Sequence, residues 1–292
     1  MNQSADNIKV YIIIPFHNLV DDAFADCLKN QDYRNLSLIL VDDGSTDESL
    51  SKLTSLPYTC HVINGDGNLW FGGALDKAYT FIEKNNSVND HDIILVLLHD
   101  TQFGGNFISR GAELIKQYPN SIITARAVSK QTGMLVDKGV HVSWWNLSFT
   151  QTDQTSEINC LSMRGMFATA KDFIRIGGFY PVLLPHYLSD YEFCIRAFQM
   201  GYMLRTFEEL IIYSDESRTG YHSISGRSFI KTAASMFSKK YALNPIYRTN
   251  FILLCCPLRW KLINILRVWI VSIKIIIKSL VGIRHNKKAT LK

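Results

Sequence analysis

Two stretches near the amino terminus decide the fold class: Tyr11-Ile-Ile-Ile-Pro-Phe-His-Asn18 and Leu38-Ile-Leu-Val-Asp-Asp-Gly-Ser-Thr-Asp47. In each stretch a short apolar run ends abruptly in residues that favour turns. This pattern is typical of buried parallel strands that deliver loops to the carboxyl edge of an α/β sheet, where such folds bind ligands. Asp42 and Asp43 follow the second run, and carboxylates there can accept hydrogen bonds from a base or a ribose. The residues alone leave a second interpretation open, in which the acidic stretch only forms a turn and begins a helix.

The rest of the chain up to residue 200 mostly alternates between strand and helix patterns. Strands are predicted over residues 10–15, 37–41, 60–63, 93–98 and 121–125, and helices over 21–30, 46–53, 72–84, 107–117 and 188–200. Such alternation predicts a mainly parallel sheet covered by helices. Residues 130–159 are irregular and rich in Thr, Ser, Trp and Gln, and we interpret them as hairpins and loops that border a pocket.

The composition fits one large α/β domain or a domain with an appendage, since the chain has 292 residues and is 47% hydrophobic. Its six cysteines show no Cys-x-x-Cys spacing. We therefore expect free thiols in a reducing cytosol rather than a disulfide framework or a zinc site. The amino terminus has no basic region followed by an apolar core, so we expect no secretory signal.

The net charge of +5 conceals a sharp division along the chain. Residues 1–216 hold all 26 Asp and Glu against 16 Lys and Arg, a net charge of −10. Residues 217–292 hold 15 Lys and Arg and no acid at all. An ordinary solvated surface mixes both signs, so this segment is expected to meet an anionic partner.

Residues 251–283 are very apolar but are interrupted by Lys and Arg. A spanning helix needs roughly 20 predominantly apolar residues, and no charge-free window here approaches that length. Arg267, Lys274 and Lys278 fall close together on one helix face, and most other positions are aliphatic. This pattern predicts a helix that lies in an anionic membrane interface. The alternative is a helix that packs on the catalytic domain or in a dimer. Nucleic acid is not the expected partner, because its surface would leave the long aliphatic face of the helix without an apolar contact.

Three later blocks accompany the two opening stretches: Gly67-Asn-Leu-Trp-Phe-Gly-Gly-Ala-Leu-Asp-Lys77, Leu97-Leu-His-Asp-Thr101 and Pro185-His-Tyr-Leu-Ser-Asp-Tyr-Glu-Phe-Cys-Ile-Arg196. In order and spacing the set resembles family 2 glycosyltransferases, over roughly the first three quarters of the chain. The resemblance implies a GT-A fold and an inverting transfer of the kind that builds bacterial surface polysaccharide. We expect a GT-A-like catalytic domain over residues 1–230 and a basic, amphipathic, membrane-associating extension over residues 231–292.

The resemblance assigns nucleotide contacts to the ends of the first two strands. Pro15 and His17 lie where the family contacts the base and the ribose. Asp42 is assigned to the base, and Asp43 supports the ribose or the strand edge.

A second set of nucleotide contacts is predicted at the next helix. Gly72 and Gly73 precede it, which allows a close backbone approach and directs amide groups toward an anion, with plain helix initiation as the alternative. We assign Gly73 and Lys77 to the phosphates, although a single lysine on a helix is commonly just solvated. Trp70 and Phe71 are expected in the core.

The metal and the catalytic base are assigned by the later blocks. His99-Asp100-Thr101 lies at the family's metal motif, and only Asp100 in it is acidic. One carboxylate together with diphosphate oxygens suits Mg²⁺ or Mn²⁺. The alternative is that Asp100 caps the segment that follows it. Asp190 aligns with the base, and a helix N-cap is a compatible role. Arg164, expected on a strand, is a candidate for the diphosphate or the acceptor, and His222 for the metal or the diphosphate.

These assignments predict a metal-dependent enzyme that transfers a hexosyl or deoxyhexosyl group from a nucleotide sugar to a glycan hydroxyl. We expect the glycan to be lipid-linked and the enzyme to associate peripherally with the cytoplasmic face of the cell membrane. The donor sugar, the acceptor, the linkage and the oligomeric state stay open. A catalytically silent nucleotide-sugar-binding scaffold is the alternative, because the metal motif is thin in acids. A nucleotidyltransferase ranks third, since it needs an early Gly-rich, basic phosphate loop that residues 14–18 do not supply.

Overall fold

The computed structural model describes residues 8–215, 224 and 229–280. Its strands are β1 (Val10–Phe16), β2 (Leu36–Asp42), β3 (Thr59–Asn64), β4 (Ile93–Val96), β5 (Thr101–Phe103), β6 (Ser121–Ser129), β7 (Leu135–Asp137), β8 (Val140–Ser143), β9 (Ser148–Gln151), β10 (Met166–Thr169) and β11 (Met203–Ser214). Its α-helices are α1 (Asp22–Lys29), α2 (Ser49–Thr54), α3 (Trp70–Lys84), α4 (Phe107–Gln117), α5 (Ala170–Ile176), α6 (Ser189–Gln199), α7 (Phe229–Met236), α8 (Pro245–Cys255) and α9 (Leu258–Leu280).

A nine-stranded sheet forms the centre of the fold, in the order β3-β2-β1-β4-β10-β6-β11-β5, with β7 paired to β6. The strands β3, β2, β1 and β4 all run parallel to their neighbours. Strand β10 is antiparallel to both β4 and β6, and it separates this parallel half from the parallel pair β6 and β11. The predicted helix-covered α/β architecture is confirmed, with parallel pairing among β1 to β4 and between β6 and β11.

The central strands are apolar along their whole length because both faces of the sheet are covered by helices. In β1, Ile12 and Ile14 belong to the cluster that packs under α1 and α4. The intervening Tyr11 and Ile13 belong to the opposite cluster, under α3, α5 and α6. Successive side chains of a strand point to opposite faces, so an unbroken apolar run is what this position requires.

Most predicted elements are present, with bounds that shift by a few residues. The helix predicted from residue 46 begins at Ser49, because residues 43–48 form a loop bonded to the neighbouring loop after β1. The segment 130–159 contains β7 and a small separate hairpin, β8 with β9, as expected.

The carboxyl-terminal helices pack against the part of the domain that carries α6. Phe251 and Cys255 of α8 lie in one apolar cluster with Val140 of the hairpin and Ile195 of α6. Helix α9 in turn packs on α7 and α8. None of the helices in the described ranges is both long enough and apolar enough to cross a membrane.

Candidate active site

The carboxyl ends of β1 and β2 lie side by side. Phe16 is the register partner of Asp42, and the amide of Asp43 donates to the carbonyl oxygen of Phe16 at 2.9 Å. The four residues predicted to contact the nucleoside therefore meet at one edge of the sheet: Pro15, His17, Asp42 and Asp43.

Hydrogen bonds hold the two loops that follow these strands together. His17 Nδ1 lies 2.7 Å from the carbonyl oxygen of Asp43, and the Asn18 side chain accepts from the Thr46 amide at 2.7 Å. The Leu19 amide donates to Asp47 at 2.7 Å; this bond is the main cause that lowers the pKa of Asp47 to about 2. These bonds tie the two loops together at the sheet edge, an arrangement that favours precise binding.

Asp42 is the last residue of β2 and is almost fully buried. Its Oδ1 accepts from the Ser45 amide at 2.8 Å, a bond from a side chain to the backbone three residues on that stabilises the turn after β2. The predicted turn role is therefore real, and it also orients the carboxylate at the strand end.

Asp43 supports the start of α3 rather than only the strand edge. Its Oδ1 accepts from the amides of Gly67 and Leu69 at 2.9 and 3.1 Å, and its Oδ2 accepts from the amide of Trp70 at 3.0 Å. The protein's own carboxylate thus occupies the place where the orphan amides of a helix amino terminus favour an anion.

The prediction that Gly72 and Gly73 direct free amides at a phosphate is wrong. The Gly72 amide donates to the carbonyl oxygen of Pro185 at 2.8 Å, and the Gly73 amide donates to that of Leu69 at 3.1 Å. A Cβ at Gly72 would lie 2.3 Å from the carbonyl oxygen of Leu184, so this glycine lets α3 pack closely on residues 184–185. A side-on contact of Gly73 with a nucleotide stays a prediction.

Lys77 lies further along α3 and borders two surface grooves. One is lined by His61, Ile63, Thr80, Phe81, Lys84 and Asn85. The other is lined by Asn68, Leu69, Gly73, Asp76, Pro181, Val182, Pro185, Lys239 and Tyr247. Neither of these two linings includes Asp42, Asp100 or Asp190.

Asp100 follows β4 at the same edge of the sheet. Its Oδ1 is buried and has no hydrogen-bond partner among the described residues, while its carbonyl oxygen accepts from Lys130 Nζ at 3.0 Å. His99 Nδ1 lies 3.4 Å from the carbonyl oxygen of Pro15, so the histidine contacts the end of β1. His222 lies outside the described residues.

An unpartnered carboxylate oxygen at this edge fits a hard divalent cation. Within the described ranges no three His, Cys, Asp or Glu residues cluster as a metal site. Asp100 would therefore act as an individual carboxylate ligand and not as part of a three-residue cluster of the described residues. Mg²⁺ tolerates such a site, since it commonly keeps several waters and takes its other ligands from substrate phosphates.

Asp190 lies in the first turn of α6 and is partly buried. Burial raises the pKa of this carboxyl group to about 6, while the Tyr191 amide and the Arg164 charge act in the opposite direction. The N-cap position belongs to Leu188, and it has no side-chain capping bond, so the N-cap role considered for Asp190 is wrong. A carboxylate with a pKa near 6 is ionised at neutral pH and is a stronger base than an ordinary aspartate.

Leu188 has a left-handed backbone with φ of 70° immediately before α6. For a residue with a side chain this conformation costs about 1–3 kcal/mol and is frequent at functional sites. Leu188 also packs against the cluster of α8 and the hairpin, which holds the turn in place. The position of Asp190 is therefore set by packing and not by a cap.

Three aromatic rings lie next to this helix start. The ring of His186 packs edge-on against Trp70 at 5.3 Å and against Tyr187 at 4.5 Å, between centroids. Phe71 packs on the core as expected, whereas Trp70 is only half-buried. Burial, with the Lys240 charge, lowers the pKa of His186 to about 4, so this imidazole is neutral at pH 7.

Arg164 lies in a turn before β10, and the expectation that it lies on a strand is wrong. The following Gly165 anchors the turn, because its amide donates to Val96 of β4 and its carbonyl oxygen accepts from Ala125 of β6, both at 3.0 Å. Gly165 has φ of 70°, which glycine adopts without strain. The turn places the Arg164 charge where it lowers the pKa of Asp190.

Sequence reasoning missed Asp137 and Lys130. Asp137 is buried at the end of β7, and its charge raises the pKa of Asp190. The signal was present, since Met134-Leu-Val-Asp137 ends an apolar run in an acid as Leu40-Val-Asp42 does. Nothing in the sequence indicates that Lys130 reaches the loop after β4.

A family model for glycosyl transferase family 2 matches residues 11–173, which is more than half of the chain. The chain belongs to glycosyl transferase family 2. The matched segment of this family 2 protein includes Asp42, Asp43, Asp100 and Arg164, but it ends before Asp190. No curated protein matches the chain.

Solved structures of TarS from S. aureus resemble this family 2 protein in fold. The crystal structure of TarS 1–349 is 14% identical, with a TM-score of 0.56 over 93% of this chain and 81% of TarS. Its complex with UDP is 14% identical, with a TM-score of 0.55 over 94% and 71% of the two chains. Its complex with UDP-GlcNAc is 12% identical, with a TM-score of 0.57 over 96% and 93%. At such identities the likeness shows the fold alone.

Proposed function

We propose that this protein is an inverting glycosyltransferase that moves a sugar from a nucleotide-sugar donor to a hydroxyl group of a glycan. The observation that carries the proposal is Asp190, a partly buried carboxyl group with a pKa of about 6 at the start of α6. The nucleoside would bind at the ends of β1 and β2, where Asp42 lies. The UDP and UDP-GlcNAc complexes of TarS support a nucleotide-sugar donor for this fold.

The reaction is a single displacement. Asp190 accepts the proton of the acceptor hydroxyl, and the oxygen attacks the anomeric carbon of the donor sugar. As this bond forms, the bond from the anomeric carbon to the diphosphate oxygen breaks, and the nucleoside diphosphate leaves with the electron pair. Attack opposite to the leaving group inverts the anomeric centre. General-base catalysis of this kind contributes roughly 10²–10⁴-fold.

The other residues of the site act on position and charge. Arg164 keeps Asp190 ionised by lowering its pKa, against the effects of burial and of Asp137. Bound Mg²⁺ or Mn²⁺ would be held by Asp100 and would neutralise charge on the diphosphate. Lys130, bonded to the Asp100 carbonyl, holds the loop that presents this carboxylate.

Helix α9 supports a membrane-bound, lipid-linked acceptor in surface polysaccharide synthesis. The residues of α9 that are buried against the protein include two polar ones, Asn264 and Ser272, beside Val268. The opposite side exposes a row of apolar residues spaced three or four apart, each 37–71% exposed: Leu262, Leu266, Trp269, Ile273, Ile277 and Leu280. An amphipathic helix normally buries its apolar face in the protein, so the exposed row suits a lipid surface.

The positive charge of residues 217–292 favours an anionic membrane over a second copy of the chain as the partner of α9. Pairing two α9 helices would bring together segments that hold Lys and Arg and no acid. Anionic lipid instead attracts each basic residue near the surface. We therefore propose peripheral association with the inner face of the cell membrane.

The test is release of nucleoside diphosphate from a panel of nucleotide sugars, with and without extracted lipid-linked glycans, in Mg²⁺ and Mn²⁺. Turnover that requires the glycan and yields a product of inverted anomeric configuration is the expected result. Saturable UDP binding with no turnover across the panel would instead indicate the nucleotide-sugar-binding scaffold, which the single carboxylate at Asp100 keeps as the second candidate.

A further inference from the structure

A short uncharged turn exposes an apolar side chain shortly before the helix that carries Asp190. Residues 177–185 read Gly-Gly-Phe-Tyr-Pro-Val-Leu-Leu-Pro and hold no charged residue. The amides of Leu183 and Leu184 both donate to the carbonyl oxygen of Tyr180, at 3.1 and 2.8 Å, and these bonds close the turn. Val182 lies in this turn and is 86% exposed. A single exposed apolar residue is ordinary, so the neighbours of the turn decide what its exposure means.

The turn is held on both sides by packed helices. Leu184 lies in the buried cluster that α6 and α8 share. The carbonyl oxygen of Pro185 accepts from the Gly72 amide of α3 at 2.8 Å, and the Asn250 side chain of α8 donates to the carbonyl oxygen of Leu183 at 3.0 Å. Because the turn is anchored at these points, it presents Val182 at a defined place beside α8.

Helix α8 continues the exposed apolar surface. Ile246 and Leu253 lie one turn before and one turn after Asn250, on the same side of the helix. Ile246 is 45% exposed and Leu253 is 50% exposed. The side of α8 that bonds to the turn is therefore apolar and open to solvent.

Helix α9 joins this surface through two hydrogen bonds. The indole of Trp269, a member of the exposed row of α9, donates to the Thr249 hydroxyl of α8 at 3.1 Å. Lys261 Nζ donates to the carbonyl oxygen of Leu253 at 2.6 Å. Direct contacts thus connect the exposed row of α9 to α8, and α8 to the turn. Contiguous exposed apolar surface of this kind marks an interaction site.

We propose that the turn of residues 180–184 is a second membrane contact, which enters the same anionic lipid surface as α9. This inference rests on the membrane association in the proposed function, and it adds the place where the catalytic side of the protein meets the lipid. Pro181, Val182 and Pro185 line one side of a groove of about 410 Å³ along α3, and Asp190 follows in the next helix. The contact would hold this groove at the level of the lipid head groups.

The charges around the turn favour anionic lipid over a second copy of the chain. Lys239 lines the groove beside Val182, and Lys261 lies at the junction of α8 and α9. The groove lining also holds one acid, Asp76, whose Oδ1 accepts from the Phe179 amide at 3.2 Å. Apolar side chains flanked by lysines suit an anionic lipid surface, whereas two copies paired through this surface would bring their lysines together.

The first test is local and uses the full chain with vesicles of brominated phosphatidylcholine and phosphatidylglycerol. Val182→Trp adds a fluorophore to the turn. The fluorescence that it adds over wild type should be quenched by brominated vesicles and not by unbrominated ones. Val62→Trp is the matched control, because it makes the same change at a valine that is 41% exposed on the edge strand β3. The fluorescence added at residue 62 should be unchanged by bromine.

The second test measures binding to unbrominated vesicles by sedimentation. Val182→Glu should weaken binding at least about fivefold, because it replaces apolar burial with a charge. Val182→Leu should bind at least as well as wild type, and Val62→Glu should bind like wild type. All variants should keep the wild-type melting temperature and Kd for UDP, which separates lost lipid contact from lost folding.

Three outcomes overturn the proposal. If residue 182 is not quenched on vesicles that retain the protein, or if Val182→Glu binds like wild type, the turn does not touch lipid and α9 alone accounts for adsorption. If wild type is a dimer without vesicles and Val182→Glu is a monomer, the turn belongs to an interface between copies. If wild type does not adsorb at all, the membrane association of the proposed function fails together with this inference.

Discussion

The carboxylate of Asp43 accepts a hydrogen bond from the amide of Trp70 at 3.0 Å. This bond connects the carboxyl edge of β1 and β2 to the aromatic group before α6, because Trp70 also packs on His186. Trp70 itself has φ of 58°, a conformation that needs such support. The strand end, the start of α3 and the segment before α6 therefore form one connected unit.

Asp43→Asn should destabilise the protein by about 1–3 kcal/mol, because an amide cannot accept all three backbone bonds and turns a donor toward the helix start. Urea unfolding measures the change. Asp66→Asn in the same loop, where one exposed carboxylate accepts a single bond from Asn68, is the control and should change stability by less than about 0.5 kcal/mol. Equal effects of the two substitutions would remove the organising role from Asp43.

Asp190→Asn should lower kcat by at least about 10²-fold while the Kd for UDP changes less than twofold, since only the proton acceptor is lost. Steady-state kinetics and calorimetry measure the two quantities. Asp153→Asn, an exposed aspartate paired with Lys138, is the control. More than a tenth of wild-type turnover in a folded Asp190→Asn protein would contradict the assignment.

The same carboxyl group predicts a pH profile. Because the pKa of Asp190 is raised to about 6, kcat/KM should rise with pH up to about 6 and level off above it. His186 cannot cause this rise of kcat/KM, since its pKa is lowered to about 4. The His186→Gln protein should therefore show the same rise. A flat profile between about pH 5 and 7.5 would show that another group accepts the proton.

Ionised Asp190 should also cost the protein stability. Its pKa is higher in the folded chain than the ordinary value of 3.8, so the folded state binds the proton more tightly. The destabilisation is absent below about pH 4 and grows as the pH rises through about 6. Asp190→Asn should therefore melt at a higher temperature than wild type at pH 7 and close to it at pH 4, as scanning calorimetry can show.

Asp100→Asn should remove most of the gain in UDP affinity that Mn²⁺ or Mg²⁺ provides over chelator, because this carboxylate acts through the ion. Titrations of wild type and variant with and without metal give the comparison. Asp22→Asn, which changes an exposed carboxylate of α1, serves as the control. Losses of equal size in metal and in chelator would assign Asp100 a structural role.

Leu266→Glu with Ile273→Glu should greatly reduce sedimentation with anionic vesicles, since both substitutions put charge on the exposed row of α9. Point changes suit this test because removal of α8 would uncover Ile195 of the core. Met134→Glu, the same kind of change on an exposed residue elsewhere, is the control. Unaltered adsorption, or loss of a dimer instead, would contradict the membrane proposal.

Local sequence patterns determined strands β1, β2, β3, β4 and β6, the order of the site loops and the positions of Asp42, Asp100 and Asp190 along them. These features follow from apolar runs and turn residues within a few positions, and parallel strands bring their carboxyl ends to one edge. The family resemblance of the same stretches assigned the base to Asp190 and the metal to Asp100, and both assignments stay predictions.

Only the tertiary structure decided which amides and charges meet across long separations. The Asp43 carboxylate accepts hydrogen bonds from amides 24 to 27 residues away. The local sequence around Gly72 and Gly73 does not indicate that this carboxylate occupies the amino terminus of α3. Asp137 reaches the environment of Asp190 through the pairing of β7 with β6. The sequence of α9 is apolar on nearly every side, so it does not indicate which side is buried. The tertiary contacts decide this, and they bury the row of Asn264, Val268 and Ser272. Such contacts join residues far apart along the chain, which local patterns do not reveal.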